Sequence, residues 1–263
     1  MNSLALRWVG AILVTLFVVD DASTQEPTRT AEQLQEAFDA APLKFAFKGG
    51  ANGDENLELV DQPLLNWSNP ERRTPAGAVY IWTLYGRPEV AMSLYPNNAV
   101  IDQEFQSLSL HSLQARVEGL SVWNPKEPGV EMKSLKSDAP PVSSKPARLR
   151  QMRNLAREFT AQLIPPGKTI PLRMLPSPLY RYASDRSPKI IDGTIFTFVQ
   201  GTDPEVLLLI EAVADSDGET SWRYGLARMS MVPMEVLHKD QSVWKVDWAH
   251  QSYSTPYKVI PGE

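Results

Sequence analysis

The sequence predicts an α+β fold: two tandem helix-plus-antiparallel-sheet units forming an internal pseudo-dimer. Three observations predict it. Two segments with helical apolar spacing each precede a set of strand signals. Short turn clusters join neighbouring strand signals, as in antiparallel hairpins. Blocks of the first strand set recur, in order, in the second.

The chain opens with Arg7 and then an apolar run over residues 9–19. That run is shorter than the roughly 20 residues a membrane span needs, and it suits a signal peptide. Ala22-Ser23-Thr24 offers the small residues for cleavage. Residues 1–24 are therefore expected to direct export, to the periplasm or the extracellular space. An uncleaved anchor or a buried strand is the other reading.

Residues 30–41 read as a short helix. Thr30 and Gln33 form a capping box, Leu34, Ala37, Phe38 and Ala41 share a face, and Pro42 stops it. A turn cluster at 49–56 leads to a short strand at 57–60. The strand at 78–84 is apolar on both faces, which calls for cover on both sides. Tyr85-Gly86-Arg87-Pro88 turns the chain into a strand at 89–95, and 105–113 and 119–123 are further strand candidates. The stretch 124–146 holds five prolines and reads as a linker. The units are thus bounded as 25–125 and 147–263, with linker 126–146.

The second unit begins with a helix predicted over 147–164. Leu149, Met152, Leu155, Ala156, Phe159 and Leu163 form its stripe, and Arg148, Arg150, Arg153 and Arg157 lie mostly off it. The arginines suit either a solvated face or an anionic partner. Strand signals follow at 172–175, 194–200, 205–214, 222–231 and 242–248. Asp215-Ser216-Asp217-Gly218-Glu219 begins like a calcium loop, but its strand flanks make it a hairpin turn.

The repeat rests on matched blocks. Pro63-Leu64-Leu65-Asn66-Trp67 matches Pro178-Leu179-Tyr180-Arg181-Tyr182, and Gly77-Ala78-Val79-Tyr80 matches Gly193-Thr194-Ile195-Phe196. Pro88-Glu89-Val90 matches Pro204-Glu205-Val206, and Ser121-Val122-Trp123 matches Ser242-Val243-Trp244. Leu34 and Phe38 pair with Leu155 and Phe159. Either the chain is duplicated, or similar hairpins arose from generic strand chemistry. Duplication implies a groove between the units, a common place for ligands.

Taken with the signal segment, three stretches resemble an uncharacterised family of exported bacterial proteins. They are Asn66-Trp67-Ser68-Asn69-Pro70, Gly86-Arg87-Pro88-Glu89, and Phe198-Val199-Gln200-Gly201-Thr202-Asp203-Pro204-Glu205. The resemblance spans most of the mature chain and implies export, with no activity or site residues to carry over.

Composition narrows the chemistry. Net charge is −5, so nothing draws the chain to nucleic acid or to anionic lipid. Cysteine is absent, which excludes disulfides, thiolate metal sites and thiol nucleophiles. Gly-x-Ser-x-Gly, P-loop and Gly-x-Gly-x-x-Gly motifs are missing.

Two constellations remain. Asp102, Glu104 and His111 offer an oxygen-and-nitrogen metal site, or else a solvated strand edge. Glu89 and Glu205 occupy matched positions and would form a carboxylate pair across a twofold, or else are exposed strand starts. The aromatics Trp67, Tyr80, Trp82, Tyr95, Trp222, Tyr224, Trp244 and Trp248 suit either a ligand groove or a core. No cofactor is expected. The expected protein is a cysteine-free monomer that binds an unknown ligand or envelope protein and leaves the membrane after cleavage. The leading functional expectation is a non-enzymatic binding or interaction module. The alternative is a hydrolase using Glu89, Glu205, Glu104 or His111 in the groove.

Overall fold

The computed structural model describes residues 29–186 and 189–262. The expected signal segment, residues 1–24, lies outside them. Among the described residues no helix is long and apolar enough to cross a membrane.

The α+β expectation is overturned. Among the described residues strands make up 51% and helix 12%, with only two short α-helices. In chain order the first elements are α1 (Ala31–Ala40), β1 (Phe45–Gly49), β2 (Glu55–Asn56), β3 (Glu58–Leu59) and β4 (Leu65–Asn69). The long strands β5 (Thr74–Leu84), β6 (Arg87–Asn97) and β7 (Val100–Ser107) follow, then β8 (Gln114–Val117), β9 (Leu120–Trp123) and β10 (Lys133–Ser134). Next come α2 (Lys145–Ala156), β11 (Phe159–Leu163), β12 (Ile170–Met174), β13 (Tyr180–Ser184), β14 (Lys189–Gln200) and β15 (Asp203–Ala214). The chain ends with β16 (Thr220–Arg228), β17 (Met234–His238), β18 (Gln241–Val246) and β19 (Tyr257–Pro261).

The predicted helix over 147–164 is where the fold class went wrong. It stops at Ala156, and Phe159-Thr160-Ala161-Gln162-Leu163 forms β11 with alternating burial. Phe159 and Leu163 are four apart, which satisfies a helical stripe and an alternating strand equally. Phe159, matched to helical Phe38, therefore sits on a strand. The first helix is as predicted, with Thr30 and Gln33 closing the capping box. The arginines of α2 are not all solvated: Arg148 is buried, and its Nε donates to Asp192 Oδ2 at 3.0 Å. The 215–219 stretch is the expected turn, with Asp215 Oδ1 accepting from the Asp217 and Glu219 amides.

All sheet pairing is antiparallel. β5 pairs with β3, β4 and β6, and β6 with β7. Later in the chain β14 pairs with β12, β13 and β15, and β15 with β16. β8 lies between β1 and β9, and β17 between β11 and β18. The segments that follow β9 and β18 cross over. β10 adds to β16, and β19 adds to β7. The Pro-rich stretch also buries Val130 and Leu135.

The alternation of the long strands explains their doubly apolar sequence. Tyr80 and Trp82 face a core with α1, β1 and β8, while Ile81 faces the other way. Phe196 and Phe198 face a core with α2, β11 and β17, while Ile195 faces the other way. Ile81, Ala91, Ile195, Leu207 and Leu209 meet in a third core, a dry seam between the two sheets. The expected groove is thus filled along its middle. Polar side chains gather at the two ends of the β6 and β15 segments that cross it.

Candidate functional site

At one end of the seam the charges balance. Arg87 Nη1 donates to Glu89 Oε1 at 2.7 Å, and Arg87 Nε donates to Glu211 Oε1 at 3.2 Å. Arg223 Nε donates to Glu211 Oε2 at 2.6 Å, and the Tyr182 hydroxyl donates to Glu211 Oε1 at 2.8 Å. Two guanidinium groups face two carboxylates. Burial alone would lower the Arg87 pKa, but Glu211 and Glu89 outweigh it and hold the group charged.

At the other end they do not balance. Asn69 ends β4, and its Oδ1 accepts from the Arg72 amide at 3.3 Å, setting the short turn that aims Arg72 at β15. Asn69 Nδ2 also donates to Asp203 Oδ2 at 3.1 Å. Arg72 Nη1 lies 3.4 Å from Asp203 Oδ2, and Nη2 lies 2.6 Å from Glu205 Oε1. The second contact is off the hydrogen-bond direction. Glu205 is fully buried, with Arg72 as its ion-pair partner and Ser230 beside it. Glu104, from β7, accepts from the Tyr257 hydroxyl of β19. Asp203, Glu104 and Arg72, with Trp67, Tyr95 and Tyr257, line a cavity of about 290 Å³.

Three carboxylates therefore gather around Arg72 in a desolvated place, with Arg228 the next guanidinium, near enough to feel Glu104. Burial pushes Asp203 up to about 6. Burial also pushes Glu205 up to about 7, with Asp203 adding repulsion against the pull of Arg72. Glu104 is raised well above the usual glutamate range, mainly by burial, with Asp203 and Glu205 adding to it. Tyr95 and Tyr257 are raised by burial and by the same carboxylates, so both stay neutral phenols.

The two ends occupy corresponding ladder positions. The Glu89 carbonyl accepts from the Leu108 amide at 2.7 Å, and the Glu205 carbonyl accepts from the Met229 amide at 2.7 Å. Arg87 stands where Asp203 stands, at the start of the second long strand. Across the ladder Tyr95 pairs with Asp102, where Glu211 pairs with Arg223. A side chain on Gly77 would overlap the Trp67 indole, and one on Gly193 would overlap the Tyr182 ring.

The sequence-predicted residues are redistributed by this geometry. Glu89 and Glu205 do not form a pair, because each belongs to a different end with its own arginine. Asp102 and Glu104 share a strand face, but Asp102 accepts from Asn97 Nδ2 at 2.8 Å while Glu104 meets Tyr257. His111 lies with Arg87 and Glu89 on a different cavity. Among the described residues no group of three His, Asp or Glu side chains is placed to hold a metal ion. Asp203, Arg72 and Tyr257 escaped the sequence reading. The one available signal was the charge reversal between Arg87-Pro88-Glu89 and Asp203-Pro204-Glu205.

Compared with protein-family models, curated proteins and solved structures, the chain matches none.

Proposed function

We propose that this chain is an exported, non-enzymatic binding module, a monomer built from two copies of one β unit, that takes a small organic cation in the acidic pocket. The recurring pairing order of the two strand sets supports the duplication. The N-terminal signal pattern and the resemblance to exported bacterial proteins support export. The observation that carries the binding reading is the crowding of Asp203 and Glu104 on the cavity wall, beside buried Glu205, with Arg72 as the one cation on that wall. Buried carboxylates crowded in that way are costly unless a further cation offsets them. Aromatic walls suit an ammonium or guanidinium group, whose positive charge is drawn to ring faces. The cavity is the size of a small molecule.

Calorimetric titration with n-butylammonium and with methylguanidinium tests this, with n-butanol as the neutral control. At least one cation is expected to bind with Kd below about 1 mM, with Asp203→Asn or Glu104→Gln weakening it at least tenfold. Equal heats for the cations and the alcohol would refute it.

A second reading uses the same residues. Carboxylates raised to about 6 and about 7 are matched to general acid–base work near neutral pH. Turnover of chromogenic glycoside or ester substrates, lost in Asp203→Asn and Glu205→Gln, would favour a hydrolase over a binding module.

A further inference from the structure

A larger cavity of about 480 Å³ lies beside the acidic pocket, with Tyr257 forming part of both walls. It sits where the crossing segments meet. Pro128, Gly129 and Val130 approach it just before β10, and Thr255 and Pro256 just before β19. We propose that this cavity is a second binding site, for a flat apolar or aromatic group carrying one hydrogen-bond donor.

The donor requirement comes from Gln106, on β7. Gln106 lines the cavity and is 2% exposed. Its Nε2 donates to the Ser107 carbonyl at 2.7 Å and the Gly129 carbonyl at 3.3 Å. Those two acceptors fix the orientation of the carboxamide, because a flipped amide would set oxygen against oxygen. Oε1 is thereby held as a buried acceptor, and no protein group donates to it. A buried acceptor in this state calls for a donor from outside the chain.

The apolar requirement comes from the walls. Leu226, Val246, Trp244, Tyr257 and Pro256 supply apolar wall, and Glu131, His250 and Thr255 are polar members of the lining. The nearest cation is already committed. Arg228 Nε donates to the Ser230 carbonyl, and its Nη2 donates to the Met231, Val232 and Asp247 carbonyls. Its guanidinium carbon sits 5.5 Å from the Tyr257 ring centroid, which stiffens that wall. Mostly apolar walls with a few placed polar groups are the usual make-up of a small-molecule site. This site does not depend on the acidic pocket holding a cation.

The test uses indole and benzofuran, which share a shape but differ in the N–H donor. Binding to the full mature chain is followed by backbone amide NMR shifts and by calorimetry. Indole is expected to saturate, with shifts centred on Gln106, Leu226 and Trp244. Its affinity should exceed that of benzofuran about tenfold, the worth of one hydrogen bond to a buried acceptor. Gln106→Met should erase that preference, and Trp244→Ala should weaken both probes. If Gln106→Met fails to fold, the two probes on the natural chain still decide. Equal binding of indole and benzofuran overturns the donor assignment. Absence of saturation by either up to about 10 mM overturns the site. So do shifts centred instead on Leu34 and Phe38, which line a separate cavity under α1.

Discussion

Replacing Glu205 by Gln should stabilise this protein above neutral pH and do nothing for it in acid. Glu205 is raised from 4.5 to about 7 by burial, against the partial relief of Arg72. Between those two values the folded chain holds a proton on Glu205 that the unfolded chain has released. Stability from this group is therefore full below about pH 4.5 and is lost as pH rises to about 7, where it levels off. The shift corresponds to about 3 kcal/mol, at 1.36 kcal/mol per unit. Asp203, raised to about 6, and Glu104 act in the same direction, and mutual repulsion makes their contributions overlap. For a chain of this size about 3 kcal/mol shifts Tm by about 6–12 °C. The assay is Tm by near-ultraviolet circular dichroism from pH 4.5 to 8 at fixed ionic strength, for the natural chain and Glu205→Gln. The natural chain should lose Tm across that range. The variant should lose clearly less, the two curves meeting near pH 4.5. A Glu205→Gln curve parallel to the natural one would refute the reasoning, because distant groups that also titrate cancel in the difference.

Four further outcomes rest on the same geometry. Arg87→Met strands Glu89 in the seam, while Glu211 keeps Arg223 and Tyr182, and should cost about 3–5 kcal/mol by urea denaturation across pH 5–8. Arg72→Met should instead cost little at pH 5, where its partners carry protons, and progressively more towards pH 8. Gly77→Ala meets the Trp67 indole and lies 2.7 Å from the Leu94 carbonyl, whereas the nearest atoms to Gly193→Ala belong to the Tyr182 ring. Both should lower the denaturation midpoint, by about 1–3 kcal/mol, with Gly77→Ala the worse because backbone cannot swing aside. Finally, n-butylammonium must displace one proton from the coupled Asp203 and Glu205 pair, so its affinity should fall about tenfold per pH unit below about pH 6. Calorimetry in two buffers of different ionisation enthalpy measures the released proton directly.

The parts of this fold that were legible in the sequence are those with a local cause. Thr30 and Gln33 announced the first helix through capping chemistry, and residues 78–84 announced a strand covered on both faces. The misread parts are those where one pattern satisfies two periods. Phe159 and Leu163 fit a helix stripe, yet Thr160 and Gln162 between them fit a strand, and only pairing with β12 and β17 decides. The short strand β19 is decided by its partner too, since residues 257–261 carry little pattern of their own until they meet β7. The site was half legible for the same reason. Glu104 and Glu205 were visible as carboxylates on strands. Their meeting depends on the stacking of the two sheets and on a turn near Asn69 that reaches across the seam to Asp203. No spacing rule within one strand set carries that information.

The balanced end of the seam is the best argument that the unbalanced end is not a folding requirement. Both ends close the same kind of ladder, with a glutamate two residues into the second long strand and a large ring packed on a glycine. At one end Arg87 and Arg223 neutralise Glu89 and Glu211, so that arrangement is open to this backbone. At the other, Asp203 replaces the arginine at the strand start, Tyr95 stands opposite Asp102, and Glu104 adds a third buried carboxylate. A chain selected for stability alone has a neutral solution on its own opposite face. Buried charge without compensation is a cost that folding does not recover. The structure also places Glu104 and Asp203, aromatic walls and an open cavity at that same end. An incoming cation would lower the raised pKa values of Asp203 and Glu104 on the cavity wall. For that reason the imbalance points to a ligand and not to a defect.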